Sequence, residues 1–178
     1  MLEELILYAV PGYRGTGILD PKDVTEYLKS LPKVRRNENP THIMFQDIII
    51  PKDPIDPAIK PLMDDIISNI EKTFGVGIWL SDMWYINHGP YQQTYPHRHE
   101  LEGNDWAVVY WAQTPQPCAP LEYYPLGIPG PNYTVEPKAG DYFVFPGTLL
   151  HGVRENASDD ERISMSFNIK ALVPPTML

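Results

Sequence analysis

The sequence predicts an α+β fold that is mainly β, with two N-terminal helices followed by a C-terminal sandwich or barrel. Three observations support this prediction: proline is frequent, helical periodicity is confined to the first half of the chain, and short alternating segments fill the second half. The 178-residue chain contains 20 prolines, roughly twice the usual share of about 5%. Because proline interrupts helices and is tolerated at sheet edges and turns, this composition favours loop-rich β structure over a helical bundle.

Two segments in the first half have the spacing of amphipathic helices. Asp20 followed by Pro21 predicts a helix start, an N-cap and then a first turn. The second helix is predicted to open at Asp56 and Pro57 and to be stopped by Gly75 and Gly77. Its apolar stripe comprises Ile59, Leu62, Met63, Ile66, Ile67, Ile70 and Phe74. A one-sided stripe of this length predicts that the helix packs against the back of a sheet.

From Ile78 onward, short alternating segments are separated by Gly, Pro, Asn and Asp, which is the pattern of strands and turns. The predicted strands span 78–87, 106–113, 121–124, 133–136, 142–145, 149–153 and 162–172. No segment is long enough to act as a linker between domains. The chain 1–178 is therefore predicted to be a single domain, in which 1–77 is helical or extended support and 78–172 is the β core.

The last predicted strand has one polar and one apolar face. Four polar side chains alternate with four apolar ones: Arg162, Ser164, Ser166 and Asn168 against Ile163, Met165, Phe167 and Ile169. The apolar face is expected to lie on the core or beneath a helix. The polar face is either solvated or lines a barrel lumen that holds an anion.

The balance of charge limits the partners. Acidic residues outnumber basic ones 23 to 14, for a net charge of −9, which argues against nucleic acid or an anionic membrane surface. The single cysteine, Cys118, excludes an internal disulfide and a cysteine-based zinc cluster, and it fits a reducing compartment. A signal peptide and a membrane span are not expected, so the predicted location is cytoplasmic.

Three histidines and one arginine have a spacing that indicates a metal site. His97 and His99 form a His-x-His pair, which on a strand places both imidazoles on one face within reach of one ion. His151 follows in the segment FPGTLLHGV, and Arg162 follows in ERISMSFN. The combination is more specific than any of its parts.

In this order the segments resemble the iron(II)/2-oxoglutarate-dependent oxygenases, and most closely the small 2OG-Fe(II) oxygenases with a His-x-His motif. The resemblance covers about half of the chain, from 78 to 170. It is carried by residues 97–99, 106–111, 137–146, 151–153 and 161–168. It implies a double-stranded β-helix (jelly roll) with the N-terminal helices packed on the back of the major sheet.

The resemblance also implies roles for individual residues. His97 and His151 would bind Fe(II), and Arg162, helped by Ser164, would pair with the C5 carboxylate of 2-oxoglutarate. Neutral imidazoles suit Fe(II), and a guanidinium offers a carboxylate two directional donors. The implied activity is that of an oxidoreductase, a dioxygenase that hydroxylates an unidentified substrate with succinate and CO2 as coproducts.

The third iron ligand departs from the usual pattern of this superfamily. Where Asp or Glu normally completes the triad, this sequence has His99. A third neutral ligand alters the affinity for iron and its redox potential. His99 is favoured by its spacing, while Glu100, Glu102 or Asp105 could instead supply an oxygen ligand from the adjoining loop.

Further residues are expected near the cosubstrate. Tyr110 is predicted to contact 2-oxoglutarate, and Asn87 and Tyr95 are predicted to line the substrate pocket, because polar and aromatic groups often orient ligands. His88, which precedes a Gly-Pro pair, is predicted to be a turn residue near the mouth of the pocket.

Two other functions stay open at the level of sequence. One is a non-enzymatic binding or assembly module with a vestigial metal site. The other is a cupin-type metal enzyme, which also uses His-x-His on a jelly roll but has no need for Arg162. The expected partners are the small-molecule cosubstrate and an unknown substrate, and apolar residues near the N-terminus are compatible with a homodimer.

Overall fold

The computed structural model describes residues 10–32, 46–99, 105–128, 130 and 132–172, with the backbone alone at 46–48 and 105. These residues form two helices and ten strands. The helices are α1 (Pro21–Ser30) and α2 (Lys60–Phe74). The strands are β1 (Tyr13–Thr16), β2 (Gln46–Ile49), β3 (Gly77–His88), β4 (Thr94–His97), β5 (Asp105–Gln113), β6 (Leu121–Tyr123), β7 (Tyr133–Val135), β8 (Asp141–Pro146), β9 (His151–Val153) and β10 (Arg162–Leu172).

The strands form two antiparallel sheets. The larger sheet has the order β1-β8-β5-β10-β3-β2, and the smaller one has the order β4-β9-β6-β7. From β3 to β10 the chain passes repeatedly from one sheet to the other, which is the path of a double-stranded β-helix. The predicted jelly roll is confirmed, and the space between its two sheets is called the lumen below.

Two apolar layers lie on opposite sides of the larger sheet. The layer between helices and sheet includes Val24, Leu28, Leu62, Met63, Ile66, Met83, Tyr85, Val108, Ile163, Met165 and Phe167, all buried. The layer between the two sheets is smaller and includes Ala107, Val109, Trp111, Leu121, Tyr123, Phe145 and Val153. The helices therefore cover the back of the larger sheet, which leaves its other face to form the lumen.

The ends of the helices follow the predicted chemistry with one exception. The side chain of Asp20 accepts a hydrogen bond from the backbone N–H of Lys22 at 2.9 Å, so α1 begins as predicted. Gly75 ends α2 in the left-handed conformation with φ of 71°, also as predicted. The exception is the start of α2, which lies at Lys60 rather than at Asp56.

Asp56 caps a turn ahead of α2 instead of the helix itself. Its side chain accepts from the N–H of Ala58 at 2.9 Å, and its carbonyl accepts from Ile59 and Lys60 at 3.0 and 2.9 Å. These short-range bonds hold the residues in a local turn, so the regular helix starts only after it.

The predicted strands agree with the structure to within a few residues, and 162–172 agrees at both ends. β9 starts at His151 rather than at 149, because the N–H of Leu149 bonds the carbonyl of Pro146 in a turn at 3.0 Å. β1, β2 and β4 have no counterpart among the predicted strands. β1 joins the edge of the larger sheet, where Arg14 forms an ion pair with Asp141 at 2.8 Å.

Neither helix of the described residues has the length and apolar character needed to cross a membrane.

Candidate metal centre

Three imidazoles meet at one end of the smaller sheet. His97 ends β4, His151 begins β9, and the two residues are register partners. His99 follows two residues after His97, and its backbone N–H is anchored on the carbonyl of Gly147 at 2.9 Å. One ring nitrogen from each histidine lies within 4.8 Å of the others, so a single ion can reach all three.

The local backbone explains why His97 turns inward. Between Thr94 and His97 the pairing with β9 shifts in register, which is the signature of a β-bulge. The bulge allows both Thr94 and His97 to face the lumen. Opposite the bulge, a Cβ on Gly152 would lie 2.9 Å from the carbonyl oxygen of Thr94. Glycine at 152 therefore permits the close approach of β4 and β9.

Each of the three imidazoles has its Nδ1 atom next to an oxygen acceptor. Nδ1 of His97 lies 2.9 Å from the carbonyl of Tyr95, and Nδ1 of His151 lies 2.7 Å from the carbonyl of Leu149. Nδ1 of His99 lies 2.7 Å from Oδ1 of Asn168. Because these oxygens can only accept, the proton sits on Nδ1 and the lone pair sits on Nε2, which is the arrangement that metal-binding histidines require.

The protonation state of His151 suits a metal ligand. Burial is the main cause that lowers the pKa of His151 well below its usual value, and the neighbouring His97 and His99 lower it further. The ring is therefore neutral near pH 7, and a proton competes weakly with a metal ion for Nε2.

Arg162 lies deep in the same lumen. It begins β10, and its side chain is 1% exposed. Its Nε–H donates to the carbonyl of Ala119 at 3.2 Å, and Nη1 donates to Oγ of Ser164 at 3.3 Å. Nη2 has no hydrogen-bond partner. Desolvation lowers the pKa of Arg162, but a guanidinium stays charged at neutral pH.

The strand β10 joins the two parts of the site. Arg162, Ser164 and Asn168 share its lumen face, and all three are buried, so this part of the polar face is not solvated. Asn168 contacts His99 at one end of this face, and Arg162 occupies the other end. The predicted metal ligands and the predicted carboxylate-binding residues are thus linked through one face of β10.

His88 is buried in the lumen, which corrects its interpretation as a turn residue near the pocket mouth. It is the last residue of β3, pairs in register with Arg162, and is 0% exposed. Its Nδ1 atom lies 3.5 Å from Nη1 of Arg162. The Gly-Pro pair that follows made a turn plausible, but the pairing of β3 with β10 extends the strand through His88.

The position of Tyr110 disfavours its predicted contact with 2-oxoglutarate. It lies in the apolar layer between the helices and the larger sheet, so it is on the face of β5 opposite to the lumen. Its hydroxyl is buried without a hydrogen-bond partner, and burial raises its pKa to about 12. The strand places Tyr110 where it cannot contact a cosubstrate in the lumen.

The structure also disfavours the two predicted pocket residues. Asn87 shares the helix-facing side of β3 with Met83 and Tyr85, and its Nδ2 donates to Glu161 at 2.7 Å. The Tyr95 side chain is 45% exposed, and the contribution of this residue to the site is the carbonyl that holds His97. Both corrections concern which face of a strand a side chain occupies.

Sequence reasoning did not assign two lumen residues to the site. Trp111 and Tyr123 lie in the layer between the sheets, and Nε1 of Trp111 and the hydroxyl of Tyr123 are buried without partners. Burial strongly raises the pKa of Tyr123, so its hydroxyl keeps its proton. Both residues lie in largely apolar segments, so the sequence pattern predicts core packing and does not indicate that they are polar donors in the lumen. The alternative third ligands Glu100 and Glu102 lie outside the described residues, as does the side chain of Asp105.

Comparison with known proteins adds sequence information to this geometry. Residues 127–168 match the sequence model of the family described as "Putative 2OG-Fe(II) oxygenase". The matched segment contains His151, Arg162, Ser164 and Asn168. A search of the curated proteins finds no match to the chain.

Several solved structures share the fold. HygX from Streptomyces hygroscopicus, with nickel, 2-oxoglutarate and hygromycin B bound, is 12% identical with a TM-score of 0.70, covering 92% of this chain and 84% of HygX. The epimerase SnoN from nogalamycin biosynthesis, in complex with Fe3+, alpha ketoglutarate and nogalamycin RO, is 17% identical with a TM-score of 0.70, covering 94% and 82%. The viral collagen prolyl hydroxylase vCPH from Paramecium Bursaria Chlorella virus-1, as a 2OG complex, is 15% identical with a TM-score of 0.62, covering 90% and 96%.

At these identities the structural likeness establishes the double-stranded β-helix. The matched segment independently carries one of the clustered histidines together with the buried arginine. The sequence motif, the fold and the imidazole cluster agree in their likeness to the iron(II)/2-oxoglutarate-dependent oxygenases.

Proposed function

We propose that His97, His99 and His151 bind Fe(II), that Arg162 and Ser164 bind the distal carboxylate of 2-oxoglutarate, and that the chain hydroxylates a small molecule. The observation that carries this proposal is the lumen face of β10. It joins a cluster of three imidazoles at one end to a buried guanidinium at the other.

The three histidines fit an iron(II) ion in donor type and in protonation. Each presents Nε2 while its Nδ1–H is held by an oxygen acceptor, so the rings are oriented before the metal arrives. The bound iron would supply the oxidising chemistry that couples dioxygen to the conversion of 2-oxoglutarate into succinate and CO2. Three neutral ligands leave the double positive charge of the ion uncompensated, which favours a dianionic cosubstrate.

The end of the lumen around Arg162 fits the distal carboxylate of 2-oxoglutarate. Nη2 of Arg162 is a buried donor without a partner, and a carboxylate is the group that a guanidinium matches best. The unpartnered donors on Trp111 and Tyr123 also face this space. The unpartnered donors of the lumen thus favour a ligand that carries several oxygen acceptors.

The small-molecule class of the substrate is proposed from the structural neighbours. HygX is solved with hygromycin B bound, and SnoN is solved in complex with nogalamycin RO.

An anaerobic titration tests the metal and cosubstrate site. Fe(II) is added to the full-length protein with 2-oxoglutarate, and the visible metal-to-ligand charge-transfer band is recorded. We expect a band with the wild-type protein and a much weaker one with His151→Ala, because that variant lacks one ligand. A folded wild-type protein that develops no band would contradict the proposal.

A cupin-type enzyme is separated from this proposal by Arg162. The arginine is a buried cation on the lumen face, and the cupin interpretation assigns no role to this residue. If 2-oxoglutarate binds with equal affinity when Arg162 is replaced by Ala, the cupin interpretation gains and the cosubstrate assignment fails.

A further inference from the structure

The buried guanidinium of Arg162 is surrounded by neutral groups. Its hydrogen-bond partners are the Ala119 carbonyl, the Ser164 hydroxyl and the His88 ring, and the Cys118 thiol is also adjacent. None of the ion pairs among the described residues includes it. A carboxylate partner would neutralise the arginine and compete with an incoming anion. The site therefore keeps its charge available while limiting the movement of the side chain.

His88 is held in a single orientation and tautomer. A guanidinium N–H can only donate, so the Nδ1 atom that faces Arg162 at 3.5 Å is the acceptor. The proton is then on Nε2, which lies 2.8 Å from Oγ1 of Thr94 and donates to it. On the backbone side, the carbonyl of His88 accepts from Nδ2 of Asn156 at 3.0 Å. The ring is thus fixed between Arg162 and Thr94.

The neutral form of His88 is the one that can accept from Arg162. Burial, and secondarily the charge of Arg162, lower the pKa of His88 to about 3. A protonated ring would repel the guanidinium and offer no lone pair. A carboxylate at this position would hold the guanidinium but cancel its charge.

We propose that His88 is a positioning residue, which aims the guanidinium of Arg162 at the distal carboxylate of the 2-oxo acid without neutralising it. This inference rests on the proposed function, since it assigns to Arg162 the binding of that carboxylate. His88 acts through Arg162 and does not itself contact the cosubstrate. Thr94 supports it by accepting the proton of Nε2.

A purely structural role for His88 predicts a different outcome. If the ring only filled the core, its replacement would lower stability and weaken every ligand of the lumen to a similar extent. A positioning role predicts a selective loss. Binding of 2-oxoglutarate would weaken, whereas binding of pyruvate, a 2-oxo acid without a distal carboxylate, would not change.

The experiment compares the two acids on three full-length proteins under anaerobic conditions with Fe(II). We expect His88→Leu to lower the affinity for 2-oxoglutarate about 10- to 100-fold, which is the usual effect of losing a hydrogen bond to a charged group. The affinity for pyruvate should change less than about twofold. His88→Asn is the matched control, because its amide oxygen takes the place of Nδ1 as acceptor. It should retain the affinity of the wild type for 2-oxoglutarate within about threefold.

Two results would overturn the inference: equal affinity of wild type and His88→Leu for 2-oxoglutarate, or an equal loss for both acids. If His88→Leu does not fold, Thr94→Val provides the same comparison, since it releases the far side of the ring. A wild-type protein that binds Fe(II) but not 2-oxoglutarate would refute the proposed function itself, which distinguishes that failure from failure of the role of His88.

Discussion

Both faces of β10 are largely buried, but they differ in what they contact. On one face, Met165 and Phe167 pack beneath the helices at 0% exposure. On the other, Arg162, Ser164 and Asn168 line the lumen at 1%, 2% and 5% exposure. Burial therefore does not distinguish the faces. The chemical character of the partners does, because apolar contacts stabilise the fold and polar contacts leave groups ready for a ligand.

This difference has an energetic consequence. Burial of an apolar side chain contributes directly to the free energy of unfolding. Burial of a guanidinium without an anion costs free energy, which the binding of a carboxylate would offset. We therefore expect mutations on the helix-facing side of β10 to affect mainly stability. Mutations on the lumen side should affect mainly ligand affinity.

The largest stability effect is expected from Phe167→Ala. Phe167 is 0% exposed in the layer beneath the helices, and loss of a buried phenylalanine costs about 3–5 kcal/mol. Urea denaturation of the metal-free protein measures this loss. Below the denaturation midpoint, the affinity for 2-oxoglutarate should match that of the wild type. A loss below about 1 kcal/mol would show that this face is not part of the main core.

Acid should destabilise the fold through His88 on the lumen side. Its pKa falls from 6.5 to about 3 on folding, so below pH 6.5 the unfolded chain binds a proton that the folded chain excludes. Stability therefore falls as pH decreases from 6.5 towards 3, by up to about 1.4 kcal/mol per pH unit from this group. Denaturation of metal-free wild type and His88→Asn across this range should give a shallower slope for the variant. Equal slopes would contradict the lowered pKa.

Replacement of Arg162 by Met tests the lumen face of β10, as the Phe167 mutation tests its helix-facing side. Met has a similar length without charge, so stability should stay equal or rise, as is common when apolar residues replace buried charges. The affinity for 2-oxoglutarate should fall at least about 100-fold, because a charge-assisted contact is lost. Urea denaturation and the anaerobic titration measure the two effects. A large loss of stability would instead give Arg162 a structural role.

The alternation of β10 and the histidine motif were predictable because both are local. Strand periodicity places every second residue on one face, so the sharing of one face by Arg162, Ser164 and Asn168 follows from sequence alone. The His-x-His spacing likewise brings His97 and His99 together. The convergence of His151 on this pair was implied by the family resemblance, and the register of β4 with β9 confirms it.

The faces of the other strands were less predictable. In β5 both faces are apolar, so the pattern could not show that Trp111 faces the lumen while Tyr110 faces the helices. The burial of His88 depends on its register with Arg162, a pairing between residues distant in sequence. The bulge that turns both Thr94 and His97 inward also arises from strand pairing, and no local residue pattern marks it.

At the metal end of the lumen, Asn168→Leu should weaken metal binding. Oδ1 of Asn168 accepts from Nδ1–H of His99 at 2.7 Å, and its Nδ2 lies 3.5 Å from Oδ2 of Asp82. Loss of a group that orients a ligand typically costs about 10- to 100-fold in metal affinity. Competition with a chelator measures this change in the anaerobic protein. Unchanged affinity would indicate that His99 is not a ligand, and would favour an oxygen ligand from the adjoining loop.

The smallest effects come from the removal of one hydroxyl on each side of the larger sheet, and they test the corrected position of Tyr110. Tyr110→Phe removes a buried, unpartnered hydroxyl from the helix side, so stability should stay equal or rise by about 1 kcal/mol. Its affinity for 2-oxoglutarate should be that of the wild type. Ser164→Ala removes the hydroxyl that accepts from Arg162 in the lumen.

Loss of the neutral Ser164 hydroxyl should lower the affinity for 2-oxoglutarate by up to about tenfold. Calorimetric titration of both variants, with thermal denaturation as the control for folding, compares the two faces with the smallest chemical change that each permits. If Tyr110→Phe lowered the affinity for the cosubstrate as much as Ser164→Ala does, the separation of the sheet into a structural face and a ligand-binding face would be wrong.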